Sequence, residues 1–410
     1  MMFVRMAGPL AFALLATISV CAAFAAEGQY AAFAGPAIDV DASELWKVGK
    51  TDPLGRLARG EIPAIILRRT LSTADCKNIL QQCYDANQFP ASFVPFIPSV
   101  NTGMVSGVEA QRDVYDVPEA AEGDHGAPQH GVYDVAEIQE AGDIVFASMA
   151  NASTETQPLA TRSDIGYSLA GGGNHPETYF PTCAKVHELY DELLAPFPPR
   201  HNPMHLMYEA LEVLGNQTRK AVTAHESRGR YGPGIIRTHK PGFHHGRKYV
   251  PGHTYVPHYD SVRLRERRSD FEVFKFDNQL AGILVLQAPE RIARPAAESG
   301  DVYHDSILFN MPAKDLPAWN LTQATARGFE VLEGDVGPAS GMDVHPPSFR
   351  QFIRDHPVAK ENVDLEVGDM YFFKTDNVHE APPFEGKRAR IVFGTFVGYG
   401  EEQPEMFVWS

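Results

Sequence analysis

The feature that most limits what this chain can fold into lies beyond Gly232. From there the sequence runs in short apolar or alternating stretches with Gly and Pro between them: Lys248 to Pro257, Leu280 to Leu286, Phe329 to Leu332, Met370 to Phe373 and Ile391 to Val397. Alternation with a period of two buries one face of a strand, and turn residues at short intervals reverse the chain, so the pattern predicts a sandwich or jelly roll. The first half reads differently. Pro63-Ala-Ile-Ile-Leu67 is a β-branched apolar run, and Ser72 to Asp75 can cap a helix running to about Ala86. Amphipathic helices are expected at about 184–195 and 205–226, separated by Pro196, Pro198 and Pro199, which break helices. Helices first and strands later give an α+β chain, a β core backed by helices from the N-terminal half.

With 410 residues and 44% hydrophobic side chains the chain can bury a large core. A formal charge of -16 argues against nucleic acid and against an anionic membrane surface as partners, because both would repel it. Met1 to Ala26 carries an early cation, Arg5, then an apolar run ending in Ala23-Phe24-Ala25, the pattern of a secretory signal; an uncleaved anchor helix fits the same residues and is the one route to a membrane. The expected location is therefore the secretory pathway. Four segments follow: a signal peptide or anchor (1–26), a leader without periodicity (27–60), a helical support region (61–232) holding an acidic, Ala- and Gly-rich insertion (101–160), and a strand-rich core (233–402). Without the signal an odd number of cysteines remains, Cys76, Cys83 and Cys183, so at least one thiol is unpaired within the chain. Cys76 and Cys83 share a helix face two turns apart, which suits core packing rather than a bond.

Chemistry concentrates at His258-Tyr259-Asp260. On a strand, residues i and i+2 share a face, so an imidazole and a carboxylate stand side by side while Tyr259 points away. His379 follows the apolar run Met370 to Phe373 and precedes Gly386-Lys-Arg388-Ala-Arg390, which feeds a further strand. Two neutral imidazoles and one carboxylate on one face form a triad that holds Fe(II) and leaves coordination positions open. A dicarboxylic co-substrate would need a cation for its far end, and a guanidinium grips a carboxylate with two hydrogen bonds. Arg388 is favoured on spacing, and Arg390, of the same strand parity, is the alternative. His239, His244, His245 and His253 crowd the approach to the motif and read as loop residues rather than a second metal site.

These residues resemble the Fe(II)/2-oxoglutarate-dependent dioxygenases, and within them the prolyl 4-hydroxylase-like branch. The ordered match runs Tyr249-x-x-Gly252-x-x-Tyr255-x-Pro257-His258-Tyr259-Asp260, then Val367-Gly-Asp369, then His379 and Gly386-Lys-Arg388, and the strand and helix from Pro63 to Ala86 look like the opening of such domains. The resemblance implies a double-stranded β-helix (jelly roll) with His258, Asp260 and His379 as metal ligands and catalytic centre. It further implies Arg388 as the 2-oxoglutarate arginine, Tyr249 assisting it, and Tyr255 near the mouth of the site. Fe(II), 2-oxoglutarate, O2 and ascorbate follow as cofactors and co-substrates. The reaction implied is oxidative decarboxylation of 2-oxoglutarate to succinate and CO2 coupled to hydroxylation of an unactivated carbon. The long interval between His258 and His379 calls for an insertion leaving the core near 288–362.

The leading expectation is hydroxylation of a peptidyl residue, proline foremost, in a protein substrate of the secretory pathway. The same iron chemistry on a small molecule or another residue type is the nearest alternative. A catalytically silent jelly-roll binding module is the alternative of a different class.

Overall fold

The computed structural model describes residues 30, 32–89, 93–95, 143–146, 162–169, 175–245, 248–250, 255–263, 270–289, 304–315, 321–325, 328–331, 342–344, 352–382, 384–386 and 388–410. The expected signal or anchor, residues 1–26, lies outside them, as does nearly all of the 101–160 insertion. Among the described residues no helix is long and apolar enough to cross a membrane.

The chain is mixed α and β, with two sheets. The larger has nine strands. Ile38–Asp41, Ala64–Arg68, Met370–Lys374, Asn278–Gln287 and Arg390–Tyr399 lie side by side in that order. The long strand Arg390–Tyr399 then divides its free edge. Its first half pairs with Ile235–His239, itself paired with Arg162–Ile165, and its second half pairs with Glu405–Trp409, itself paired with Lys220–Thr223. The second sheet has seven strands, in the order Gly328–Val331, Leu321–Thr325, Met342–Val344, Tyr255–His258, Asn377–Ala381, Ser306–Pro312 and Lys360–Val363. The chain passes between the sheets repeatedly: 235–239, 278–287, 370–374 and 390–399 belong to the first, and 255–258, 306–312, 360–363 and 377–381 to the second.

Helices cover the outer face of the larger sheet. Thr73–Asp85 starts where the Ser72 hydroxyl accepts the Asp75 N–H at 3.1 Å, a cap that satisfies one of the free donors of the first turn. Its buried residues Cys76, Ile79, Leu80 and Cys83 recur every three to four positions and pack on the sheet. Pro176–Leu194 and Pro203–Leu214 complete this layer. The second of them is shorter than the expected 205–226, because residues 220–223 are taken by the sheet. Cys76, Cys83 and Cys183 are buried and free, and burial pushes the Cys76 and Cys83 thiols up to about 12.

Two sequence boundaries need correction. Residues 27–60 contain more than a leader: Ile38–Asp41 pairs in parallel with Ala64–Arg68, and Leu54 and Leu57 are in the core. The segment 288–362 does not leave the core as a whole, since Ser306–Pro312 pairs with Asn377–Ala381 on one side and Lys360–Val363 on the other. The Val367-Gly-Asp369 turn explains its own composition. Gly368 has φ +89, and a Cβ there would stand 1.9 Å from the Leu71 carbonyl oxygen, so only glycine fits. Asp369 then accepts from Arg68 at 2.7 Å and from the backbone N–H of Arg69 at 2.9 Å, tying this turn to the opening strand.

Candidate active site

Between the two sheets lies a cavity of about 250 Å³. Strand alternation decides what lines it. On the larger sheet Ala281, Ile283, Tyr371, Phe373, Arg390 and Val392 point inward, one residue out of phase with Leu280, Leu284, Phe372 and Phe393, which face the helices. The smaller sheet contributes His258, Ser306, His379 and Ala381 to the opposite wall.

His258 and His379 are direct cross-strand partners, with ring centroids 4.2 Å apart. The chain leaves the strand after His258, yet Asp260 stays in line. Its backbone N–H donates to the Thr375 carbonyl at 3.0 Å, and the Gln279 side-chain amide donates to its carbonyl. The same Gln279 accepts the Val262 N–H at 2.8 Å, so one glutamine carries the turn that presents the carboxylate. The Asp260 Oδ2 lies 3.6 Å from His258 Nε2 and 3.7 Å from His379 Nε2, and one donor atom from each of the three residues falls within 4.8 Å of the others. An ion roughly 2.1 Å from each donor bridges donors up to about 4 Å apart, so these separations suit a divalent metal.

Protonation fits as well. The His379 Nδ1 is 2.9 Å from the Asn377 carbonyl oxygen, which can only accept, so the proton sits on Nδ1 and the Nε2 lone pair faces Asp260. Burial, with help from the neighbouring His258, pushes the His379 pKa down and favours the neutral ring that a metal needs. The rings are held by aromatic neighbours: Phe373 meets His379 edge-on at 4.9 Å, and Tyr255 stacks on His258 at 5.3 Å.

Geometry separates the two candidate arginines. Arg388 precedes the strand that starts at Arg390, and its Nε lies 3.4 Å from Asp143 Oδ2, outside the cavity lining. Arg390 lines the cavity and is 5% exposed. It shares a hydrogen-bonding cluster with the Tyr371 hydroxyl, which also reaches Ser306. Burial pushes the Tyr371 pKa up, against the pull of Arg390. Tyr249 sits on the strand Lys248–Val250, paired with Phe243–His245, and its side chain lies outside the described residues, as do Gly252 and His253. His239 is not a loop residue. It ends the strand Ile235–His239, is 4% exposed, and lines the cavity. His244 and His245 are likewise on a strand.

Sequence reasoning missed Tyr371, Ser306, Arg237 and Arg162, all of which line the cavity. Tyr371 was within reach of a parity argument, because it alternates with Phe373 on the run just before His379. Arg162 and Arg237 had no local signal, since only the pairing of 235–239 with 390–399, and of 162–165 with 235–239, brings them to the site.

No family model matches the sequence, and no curated protein matches it. Among solved structures, similarity is found to an N-substituted L-amino acid dioxygenase in complex with α-ketoglutarate from Burkholderia ambifaria, at 12% identity over 57% of this chain and 68% of that one, with a TM-score of 0.31. The α-ketoglutarate-dependent epimerase SnoN of nogalamycin biosynthesis matches at 11% identity, over 88% of this chain and 87% of the other, with a TM-score of 0.34. A prolyl hydroxylase from Trichoplax adhaerens, in complex with a hypoxia-inducible-factor peptide, matches at 10% identity over 86% and 91%, with a TM-score of 0.29. At such scores the likenesses carry no argument, and the functional reading rests on the site itself.

Proposed function

We propose that this chain is an Fe(II)/2-oxoglutarate-dependent oxygenase built on a double-stranded β-helix. The observation that carries the reading is the convergence of His258, Asp260 and His379 on one wall of a cavity whose other wall presents Arg390. His258, Asp260 and His379 would hold the iron. When bound, iron supplies the redox chemistry by which 2-oxoglutarate is oxidatively decarboxylated and a substrate C–H bond is hydroxylated. The protein's own share is positioning. Arg390, with the Tyr371 hydroxyl and Ser306, receives the distal carboxylate of 2-oxoglutarate, Phe373 and Tyr255 hold the two imidazole planes, and the sheets exclude water. The resemblance of the Tyr249-to-Asp260 motif to the prolyl 4-hydroxylase-like branch supports a peptidyl residue, proline foremost, as substrate with ascorbate as supporting reductant, and the signal pattern of residues 1–26 supports the secretory pathway as location. A small-molecule substrate is the second reading, favoured by a cavity at the low end of the size range of ligand pockets.

The test is release of succinate from 2-oxoglutarate with Fe(II) and ascorbate. Iron-dependent release, even without substrate, is expected, and its loss in His379→Ala is expected with it. No release under any coupled or uncoupled condition would turn the assignment to a silent binding module. Proline-rich peptides read by mass for one added oxygen separate the peptidyl reading from the small-molecule one.

A further inference from the structure

The larger sheet brings more positive charge to the cavity than one co-substrate requires. Arg390, His239 and Arg162 are register partners across three adjacent strands, and in the next row Val392, Arg237 and Asp164 are partners in the same way. Adjacent strands are about 4.8 Å apart, so Arg390 and Arg162 stand roughly 10 Å apart at the backbone with His239 between them. This places two cationic positions at opposite ends of one wall. Asp164 holds Arg237 through both oxygens, at 3.0 and 3.2 Å, and takes Arg162 at 3.1 Å. Two guanidinium groups thus share a single carboxylate, which with the Tyr255 hydroxyl takes only part of the five donors each of them carries. Arg162 also donates to the Tyr255 hydroxyl at 3.2 Å, and Tyr255 is the ring stacked on the candidate ligand His258. The second cationic position is therefore one aromatic ring away from the triad. The wall beside it is apolar, formed by Ile235, Ile283 and Val392.

We infer that Arg162 and Arg237 form a second anion subsite that binds the carboxylate of the substrate, and that the substrate is a small carboxylic acid with an apolar body. The inference rests on the oxygenase reading and narrows its substrate class. A carboxylate on Arg162 and Arg237 fixes one end of the molecule, Tyr255 spaces it from the triad, and the apolar wall receives the part to be hydroxylated. Separate arginines for the substrate and for 2-oxoglutarate let both anions bind at once without competing for Arg390.

The experiment uses the full chain with Mn(II) in place of iron and saturating 2-oxoglutarate. Ligand-observed NMR screens small carboxylic acids, free and N-acylated amino acids among them, each beside its primary amide. Acids are expected to bind at least tenfold more tightly than their amides. Arg162→Gln should remove that preference, and Arg162→Lys should restore part of it. Binding of 2-oxoglutarate, followed by calorimetry, should survive Arg162→Gln and weaken roughly tenfold or more in Arg390→Gln. Equal binding of acids and amides, binding of proline-rich peptides alone, or no binding from the panel while 2-oxoglutarate still binds would each overturn this inference. Failure of the wild-type protein to bind 2-oxoglutarate at all would instead remove the oxygenase reading beneath it. Thermal melting of each variant separates lost binding from lost fold, and if Arg162→Gln does not fold, the comparison of acids with amides on the wild type decides alone.

Discussion

Along the strand Arg390–Tyr399, Ile391, Phe393 and Val397 face the helices, while Arg390, Val392 and Phe396 face the other sheet. The same division runs through 278–287 and 370–374, with Leu280, Leu284 and Phe372 outward and Ala281, Ile283, Tyr371 and Phe373 inward. The two faces of one sheet are made for different purposes. Close packing of large apolar groups on the helix side stabilises the fold. On the cavity side apolar side chains share the face with guanidinium groups, Arg390 buried and Arg237 partly buried, which costs several kcal/mol in desolvation unless partners compensate. The partners are present on the wall itself: Asp164 for Arg237 and the Tyr371 hydroxyl for Arg390.

This contrast can be broken in order of effect. His379→Ala should abolish iron-dependent succinate release and lower the metal content measured by mass spectrometry, with little change in unfolding midpoint, because the residue serves the cavity rather than the packed face. On the other side Phe393→Ala should cost about 3–5 kcal/mol in denaturant unfolding, as expected for a large core truncation. Arg390→Gln removes charged hydrogen bonds of about 1.5–3 kcal/mol each, so the 2-oxoglutarate requirement should rise roughly tenfold or more. Arg388→Gln, by contrast, should leave that requirement unchanged in the same titration. A smaller effect on stability than that of Phe393→Ala belongs to Gly282→Ala on the helix side, where a Cβ would stand 2.6 Å from the Met207 sulfur and 2.9 Å from the Phe372 ring. Overpacking of about 1–3 kcal/mol should appear in thermal melting, with 2-oxoglutarate binding by calorimetry intact. If inward substitutions cost stability and outward ones cost ligand binding, the division drawn here is wrong.

Much of this was legible from the chain. Short apolar or alternating runs between turn residues marked the strands at 280–286, 370–373 and 391–397 within a few residues of their bounds, and Ser72 marked the start of the 73–85 helix. The pair His258 and Asp260 was visible because their spacing is local. The leader was misread because Ile38–Asp41 is short and its burial depends on pairing with Ala64–Arg68. His239 was misread for a related reason: its strand is defined by neighbours on both sides, 162–165 and 390–394, rather than by its own composition.

Sequence alone determined which residues can share a face and which side chains can ligate a metal, because both follow from spacing along a single strand and from side-chain chemistry. Tertiary structure decided which of Arg388 and Arg390, whose parity is the same, lines the cavity. The strand begins at Arg390, and Asp143 draws Arg388 away. It also decided that Arg162 and Arg237 belong to the cavity at all. Strand order and register are set by the packing of the whole sheet, and no local pattern encodes which distant strand will lie alongside.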